Sequence, residues 1–284
     1  MYKGFDVRLD VTKFRQNVTK KNAGLWDDFV RNGKASRKNL RDVIDTKIAS
    51  GKWVLSGSDI ESNWFPKLMN HVFISHSHRD ENLALALAGA LKYWMGLDAF
   101  VDSSVWGYYA DLQKLIYQKV TSLRGEVHGA QRLELENSIV SHVHCMLTKS
   151  LVQMMDQCEC LIFLNTPSSI GIRDVRGTSQ ETYSPWIYTE VEVSRFLRTH
   201  KDPRRPKMRK FAESVEGMDE AIRDIISYPL NLDHLGKVDS DGVWKWIYAG
   251  YKAVRAESNR LRKPFVALDQ LYEQTRKVRV IYGP

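Results

Sequence analysis

Three short apolar runs, each followed by a polar loop and then by a helical pattern, constrain the fold of this chain most strongly. They are His71–Ser75, Asp98–Asp102 and Cys160–Leu164. Short apolar runs bounded by polar residues are typical of buried strands. Strands that alternate with helices form parallel sheets with right-handed crossovers. The sequence therefore predicts an α/β fold around a central parallel sheet.

The remaining patterns divide the chain into three regions. Residues 1–70 are expected to form a mainly helical N-terminal extension, including a helix capped by Ser36 and a short strand at Lys52–Leu55. Residues 71–240 contain the predicted sheet, with a polar, irregular insertion near residues 121–150, whose last part, from Val143, already belongs to a predicted helix. A further helix is predicted at 218–226 and a short strand at 228–232. Residues 241–284 are expected to form two C-terminal helices, Gly242–Arg255 and Pro264–Lys277.

Composition and charge limit the classes of function. No apolar run approaches the roughly 20 residues that span a bilayer, which predicts a cytoplasmic protein without a membrane partner. The three cysteines, Cys145, Cys158 and Cys160, form no even disulfide framework, so free thiols are expected. The net charge is +8, but the basic clusters flank predicted helices and accompany no nucleic-acid-binding motif. Nucleic-acid binding is therefore not favoured, whereas an anionic substrate is.

Polar and aromatic residues follow each of the three predicted strands. They include Ser75 and His76 after the first strand, and Asp102, Trp106 and Tyr108 after the second. Ligands of open parallel sheets bind outside the carboxyl ends of the strands, so these residues are expected at one edge of the sheet. Taken singly, each has a structural alternative: a histidine that caps a loop, or an aromatic residue that anchors a loop to the core.

A helix start follows the third strand. Ser184 is predicted as its N-cap and Pro185 as its first residue. Trp186 and Glu190 are four residues apart and therefore share one helix face. An aromatic plane beside a carboxylate suits a cationic ligand that contains a ring. The alternative is a core tryptophan and an acidic residue favoured by the helix dipole.

Together these segments resemble a TIR (Toll/interleukin-1 receptor) domain, which has a flavodoxin-like fold. Val72–Asp80 resembles the opening strand and loop, Phe100–Ser103 with Trp106–Tyr108 resembles the second strand and its BB loop, and Leu161–Leu164 resembles the third strand. Ser184, Trp186 and Glu190 match the Ser-x-Trp-x-x-x-Glu box of TIR NADases. The resemblance covers about residues 70–240. A chain with helical additions and no recognisable further signalling domain is similar to the stand-alone prokaryotic antiphage TIR enzymes of Thoeris-type systems.

The resemblance implies an NAD glycohydrolase or ADP-ribosyl cyclase-like enzyme for which NAD is the substrate, with no cofactor and no metal. It implies Glu190 as the catalytic carboxylate. The residues implied to bind substrate are Ser75, His76, Asp102, Trp106, Tyr108, Ser184 and Trp186. The product would be a linear, cyclic or base-exchanged ADP-ribose that a separate effector protein senses, and activation would involve a homo-oligomer.

Two other functions remain open on the sequence alone. A non-catalytic TIR module would signal by assembly, often through its BB loop. A metal-dependent hydrolase would use the segment His76-x-His78-x-Asp80, which is similar to the His-x-His-x-Asp-His signature of metallo-β-lactamase-like enzymes but has Glu81 in the last position. Catalytic zinc needs three protein ligands and an open coordination position.

Overall fold

The protein is described by a computed structural model that covers residues 3–21, 27–28, 57–65, 68–102, 106, 109–172, 180–197 and 227–275. In chain order the elements are β1 (Lys3–Arg8), α1 (Val11–Lys21), α2 (Gly57–Trp64), β2 (Val72–Ser75), α3 (Glu81–Met95), β3 (Ala99–Phe100), α4 (Tyr109–Arg124), α5 (Ala130–Gln157), β4 (Cys160–Leu164), β5 (Gly171–Ile172), β6 (Gln180–Thr182), α6 (Pro185–Phe196), β7 (Tyr228–Pro229), β8 (Gly236–Asp239), α7 (Ser240–Ala256) and α8 (Lys263–Gln274). The predicted Ser36 helix, the 52–55 strand and the 218–226 helix lie outside the described residues.

A five-stranded parallel sheet forms the centre of the described fold, in the order β3-β2-β4-β1-β8. Its α/β architecture is the one predicted and is consistent with a flavodoxin-like fold. β5, β6 and β7 form a separate antiparallel sheet. The predicted strand at 228–232 therefore exists in part, as β7, but it lies outside the central sheet.

Two hydrophobic cores cover the two faces of the central sheet. Alternate strand residues point to opposite faces, so Val72 and Ile74 belong to the first core and Phe73 to the second. Helices α1, α3, α7 and α8 pack in the first core, whereas α2, α4, α5 and α6 pack in the second. The two layers of helices leave the carboxyl ends of the strands as the natural binding edge.

The N-terminal segment corrects the sequence analysis. Residues 3–8 form β1, which lies between β4 and β8 inside the central sheet, whereas residues 1–70 were expected to be a mainly helical extension outside it. Phe5 and Val7 fill the first core, and Phe5 is stacked on Tyr272 of α8. The strand was missed because its apolar residues alternate with polar ones over only six positions. The fifth strand, β8, was also not predicted.

The segment near residues 121–150 is also different from its prediction. It contains the end of α4, a turn and most of α5, so it is helical rather than irregular. Gly125 and Gly129 take positive φ angles of 87° and 57° in the turn, a conformation that glycine adopts without steric cost. The first turns of α5 are exposed to solvent, so their polar residues show no apolar stripe although they are compatible with a helix.

Close packing between β1 and β8 makes Gly236→Ala a test of the sheet order. A Cβ atom at Gly236 would lie 2.9 Å from Cδ1 of the fully buried Phe5 ring. Because this ring has little room to move, we expect overpacking to lower the free energy of unfolding by about 1–3 kcal/mol. Urea unfolding measures this change. Gly57→Ala is the control, since no atom lies within 4 Å of its added Cβ; equal stability of both variants would contradict the β1–β8 pairing.

Candidate functional site

The candidate site lies where the chain connections change from one face of the sheet to the other. The chain leaves β2 into α3 on the first-core face, and it leaves β4 towards α6 on the second-core face. β2 and β4 are neighbours in the sheet. Such a switch point opens a crevice between the carboxyl ends of two adjacent strands, which is the usual ligand site of open α/β sheets.

Helix α6 brings Glu190 to this edge of the sheet. The helix begins as predicted: Ser184 is the N-cap, its hydroxyl accepts a hydrogen bond from the Ile187 amide at 3.3 Å, and Pro185 follows. Ile187 and Val191 anchor α6 in the second core. Glu190 lies between these two residues in the sequence and is buried, with 4% of its surface exposed. Ser184 thus has a structural role as the cap that sets the start of the helix.

Ser75 meets Glu190 across 115 residues of sequence. It is the last residue of β2, on the face of the sheet that carries Phe73, and is itself buried. Its hydroxyl donates a hydrogen bond to Oε2 of Glu190. The two residues from separate predicted segments are therefore in direct contact, and we call this pair the Ser75–Glu190 site.

The electrostatic environment favours the neutral form of Glu190. Burial raises the pKa of the carboxyl well above its usual range, because a charge loses its hydration there. The negative charge of Asp102 raises this pKa further, whereas the hydrogen bond from Ser75 lowers it. Two carboxyl groups from different elements thus interact at one edge of the sheet, an arrangement that is common in functional sites.

His76 and Asp102 form a second pair beside the Ser75–Glu190 site. His76 Nδ1 lies 3.6 Å from Asp102 Oδ1, and the imidazole is almost completely buried while the carboxylate is partly exposed. His76 Nδ1 also lies 3.4 Å from the carbonyl oxygen of Ile74. These contacts join the loop after β2 to the loop after β3. The structure therefore brings together four of the residues predicted for the site: Ser75, His76, Asp102 and Glu190.

The predicted aromatic residues lie in different places. Trp106 is a core residue: it is 2% exposed and packs edge-on against Phe65 and Phe100, with ring centroids 5.2 and 4.7 Å away. This is the structural alternative that the sequence left open, and a contact of Trp106 with substrate stays a prediction. Aromatic packing in the second core explains its position. Tyr108 lies outside the described residues.

Trp186 packs against the helices α4 and α5. Its ring lies 5.3 Å from that of His144, edge to face, and 5.8 Å from that of Tyr109. Its Nε1 is buried and has no hydrogen-bond acceptor among the described residues. Trp186 therefore fixes the N-terminal end of α6 against the second core, and through this helix it sets the position of Glu190.

Two polar contacts at the same edge were not anticipated. Thr166, just after β4, donates a hydrogen bond to Asp80 Oδ2 at 2.5 Å and so ties the loop after β4 to the loop after β2. Asn165 Nδ2 donates to Oδ1 of the buried Asp6 at 2.7 Å. The alternation Phe5, Val7, Leu9 was the signal that would have placed Asp6 on a strand.

The side chains of the proposed metal-binding segment point to separate partners. His76 contacts Asp102, and Asp80 accepts from Thr166. Within the described ranges, no group of three or more histidine, cysteine, aspartate or glutamate side chains is arranged to hold a metal ion.

Comparisons of the chain with protein-family models, with curated proteins and with solved structures found no match. Among the helices that the structure describes, none has both the length and the apolar character needed to cross a membrane. The function therefore has to be inferred from the geometry and chemistry of the site.

Proposed function

We propose that this protein is a TIR-type enzyme that cleaves the nicotinamide–ribose bond of NAD at the Ser75–Glu190 site. The observation that carries the proposal is the buried Glu190 carboxyl, held by Ser75 at the switch point of the parallel sheet. The resemblance of the sequence to TIR NADases assigns the catalytic role to the same residue. NAD is the substrate in this proposal, and no metal or cofactor takes part.

The chemistry required of Glu190 is electrostatic. Cleavage of a glycosidic bond passes through a transition state similar to an oxocarbenium ion, with positive charge developing on the ribose. A carboxylate in a site of low dielectric stabilises this charge more strongly than it would in water. The nicotinamide ring of NAD is cationic and departs as a neutral molecule, so the leaving group needs no strong general acid.

The resting state suits this role. Burial and the charge of Asp102 raise the pKa of Glu190 and so favour its neutral form before substrate binds. A cationic ring bound beside it favours the ionised carboxylate, because an opposite charge lowers the pKa of a carboxyl. Substrate binding and ionisation of Glu190 then support each other. Ser75, through its hydrogen bond, orients the carboxylate and stabilises the charged form.

The direct test of the function is incubation of purified protein with NAD, followed by chromatography and mass spectrometry of the products. We expect release of nicotinamide. The mass of the second product separates hydrolysis from cyclisation. In the presence of an added free pyridine base, a dinucleotide product that carries this base in place of nicotinamide reports base exchange. Absence of turnover, both in vitro and in cells under phage challenge, would favour the non-catalytic TIR module that signals by assembly. In the proposed pathway, an activated homo-oligomer makes the product and a separate effector senses it.

The opposing effects of Asp102 and Ser75 on Glu190 give a prediction about pH. The acid limb of kcat/KM reports the pKa of the essential carboxylate in the free enzyme. Because Asp102 raises this pKa, Asp102→Asn is expected to move the acid limb to lower pH. Because the Ser75 hydroxyl lowers it, Ser75→Ala is expected to move the limb to higher pH.

The measurement is the pH profile of nicotinamide release for the two variants and the wild type. Asp98→Asn is the matched control, since Asp98 is partly exposed and does not contact Glu190. Its Oδ1 lies 2.6 Å from Lys92 Nζ. Its profile is expected to coincide with that of the wild type. Shifts of Asp102→Asn and Ser75→Ala in the same direction would contradict the assigned electrostatics.

A further inference from the structure

A second charged group lies on the same face of the sheet as the Ser75–Glu190 site, two strands away. Asp6 on β1 and Ser75 on β2 are both register partners of Phe163, which lies between them on β4. Adjacent strands are about 4.8 Å apart, so the Asp6 and Ser75 backbones are separated by roughly 10 Å. Phe5 and Val7 point into the first core, and Asp6 therefore points to the second-core face.

Asp6 is buried but only half satisfied. Its side chain is 1% exposed, and Oδ1 accepts a hydrogen bond from Asn165 Nδ2 at 2.7 Å. Oδ2 is buried and accepts no hydrogen bond from the described residues. Arg8 forms an ion pair with this carboxylate, with its Nη2 3.7 Å from Oδ2. A buried carboxylate requires such a counter-charge, so Arg8 is held at this position by Asp6.

Two cationic residues lie on the strands at this end of the sheet, one on β1 and one on β8. The side chain of Arg8 is 57% exposed, and a guanidinium carries five N–H donors, of which Asp6 can engage only part. Lys237 on the edge strand β8 is the register partner of Asp6 and is also exposed. Asp239, the register partner of Arg8, accepts from the Gly242 amide at 2.8 Å as the cap of α7. The charges of Asp6 and Asp239 formally balance those of Arg8 and Lys237.

We infer that Arg8 and Lys237 form an anion subsite for the diphosphate of a dinucleotide whose ribose lies at the Ser75–Glu190 site. The inference rests on the proposed function for the identity of that dinucleotide. A diphosphate is linked to the nicotinamide ribose through its 5′ carbon, a few bonds from the reacting C1′. In the inferred arrangement the diphosphate extends from the Ser75–Glu190 site across β4 towards Arg8 on β1. A guanidinium fixed by a carboxylate is well suited to bidentate contact with phosphate oxygens.

The test is calorimetric binding of ADP-ribose, which contains the diphosphate and has no bond to cleave at the nicotinamide position. Arg8→Gln is expected to weaken binding about tenfold or more, as for loss of a charge-assisted hydrogen bond, and Lys237→Gln to weaken it less. Arg8→Lys should retain part of the affinity. Arg255→Gln is the matched control, because Arg255 ends α7 on the opposite face of the sheet and bonds Tyr251. AMP, with a single phosphate, should depend less on Arg8.

If Arg8→Gln leaves Asp6 unpaired and the variant does not fold, the double variant Asp6→Asn with Arg8→Gln removes both charges and provides the same test. Equal affinity of wild type and Arg8→Gln for ADP-ribose would overturn the inference, as would failure of the wild type to bind it. Neither result would decide the proposed function, which is measured by nicotinamide release. Conversely, if the protein binds ADP-ribose through Arg8 but releases no nicotinamide from NAD, the anion subsite is supported and the proposed enzymatic function is contradicted.

Discussion

Replacing Glu190 by glutamine is expected to lower the rate of nicotinamide release from NAD by about 100-fold or more. Glutamine has nearly the same shape and can still accept a hydrogen bond from Ser75, but it cannot become negatively charged. Removal of one preorganised group that stabilises transition-state charge costs 10²–10³ in rate in well-studied enzymes, which sets the scale. The measurement is the initial rate of nicotinamide release at saturating NAD.

Glu192→Gln is the matched control for this variant. Glu192 lies on the same helix, is partly exposed and pairs with Arg195 at 3.3 Å. The same change of charge there is expected to leave the rate within a factor of two or so, since surface pairs contribute little. If both variants lost activity equally, a general effect on α6 rather than the chemistry of Glu190 would be responsible.

The Glu190→Gln variant also has a consequence for stability. The folded-state pKa of Glu190 is raised above its unfolded value. The stability that the protonated carboxyl contributes is therefore fully present below the unfolded pKa and is lost as the pH rises through the folded pKa. Glutamine does not ionise, so the Tm of the variant should exceed that of the wild type increasingly over this window. A rise in Tm together with a loss of activity separates a functional role from unfolding.

Replacing Trp106 by alanine is expected to destabilise the protein by about 3–5 kcal/mol. Its indole is buried between Phe65 and Phe100 in the second core, and truncation of a large aromatic side chain leaves a cavity there. Trp106→Phe retains most of the packing and should cost less. The free energy of unfolding in urea measures both changes.

The same two variants distinguish a core residue from one that binds substrate. With Trp106 in the core, Trp106→Phe is expected to keep the KM for NAD near that of the wild type. An alanine variant as stable as the wild type, with a strongly raised KM, would instead place Trp106 at the substrate, as the resemblance to the BB loop implies.

Continuous apolar runs made much of the central sheet predictable. β4 occupies the predicted residues Cys160–Leu164, because all five side chains are buried and apolar. β8 was not predictable in the same way: Gly-Lys-Val-Asp contains a single residue that enters a core, and its pairing with β1 joins residues about 230 positions apart. A strand that is stabilised mainly by pairing with a distant segment has no local sequence pattern from which it could be predicted.

Site residues whose position depends on the strand order could be predicted from the sequence, whereas residues whose position depends on side-chain packing could not. Ser75 and Glu190 follow strands whose carboxyl ends must share an edge, so their contact could be anticipated from their positions. Trp106 also follows a strand, but the presence of Phe65 beside Phe100 draws its ring into the core. Asp6 escaped notice because a buried charged residue on a central strand is rare and depends on Asn165 and Arg8.

The central claim is that the buried carboxyl at the switch point of the sheet cleaves NAD. Its most direct test compares nicotinamide release by purified wild-type protein and by Glu190→Gln over time and protein concentration, with the Tm of both samples recorded at the same pH. We expect release that is proportional to the amount of wild-type protein and absent, or reduced at least 100-fold, in a fully folded Glu190→Gln variant. Equal release by the two folded proteins would contradict it.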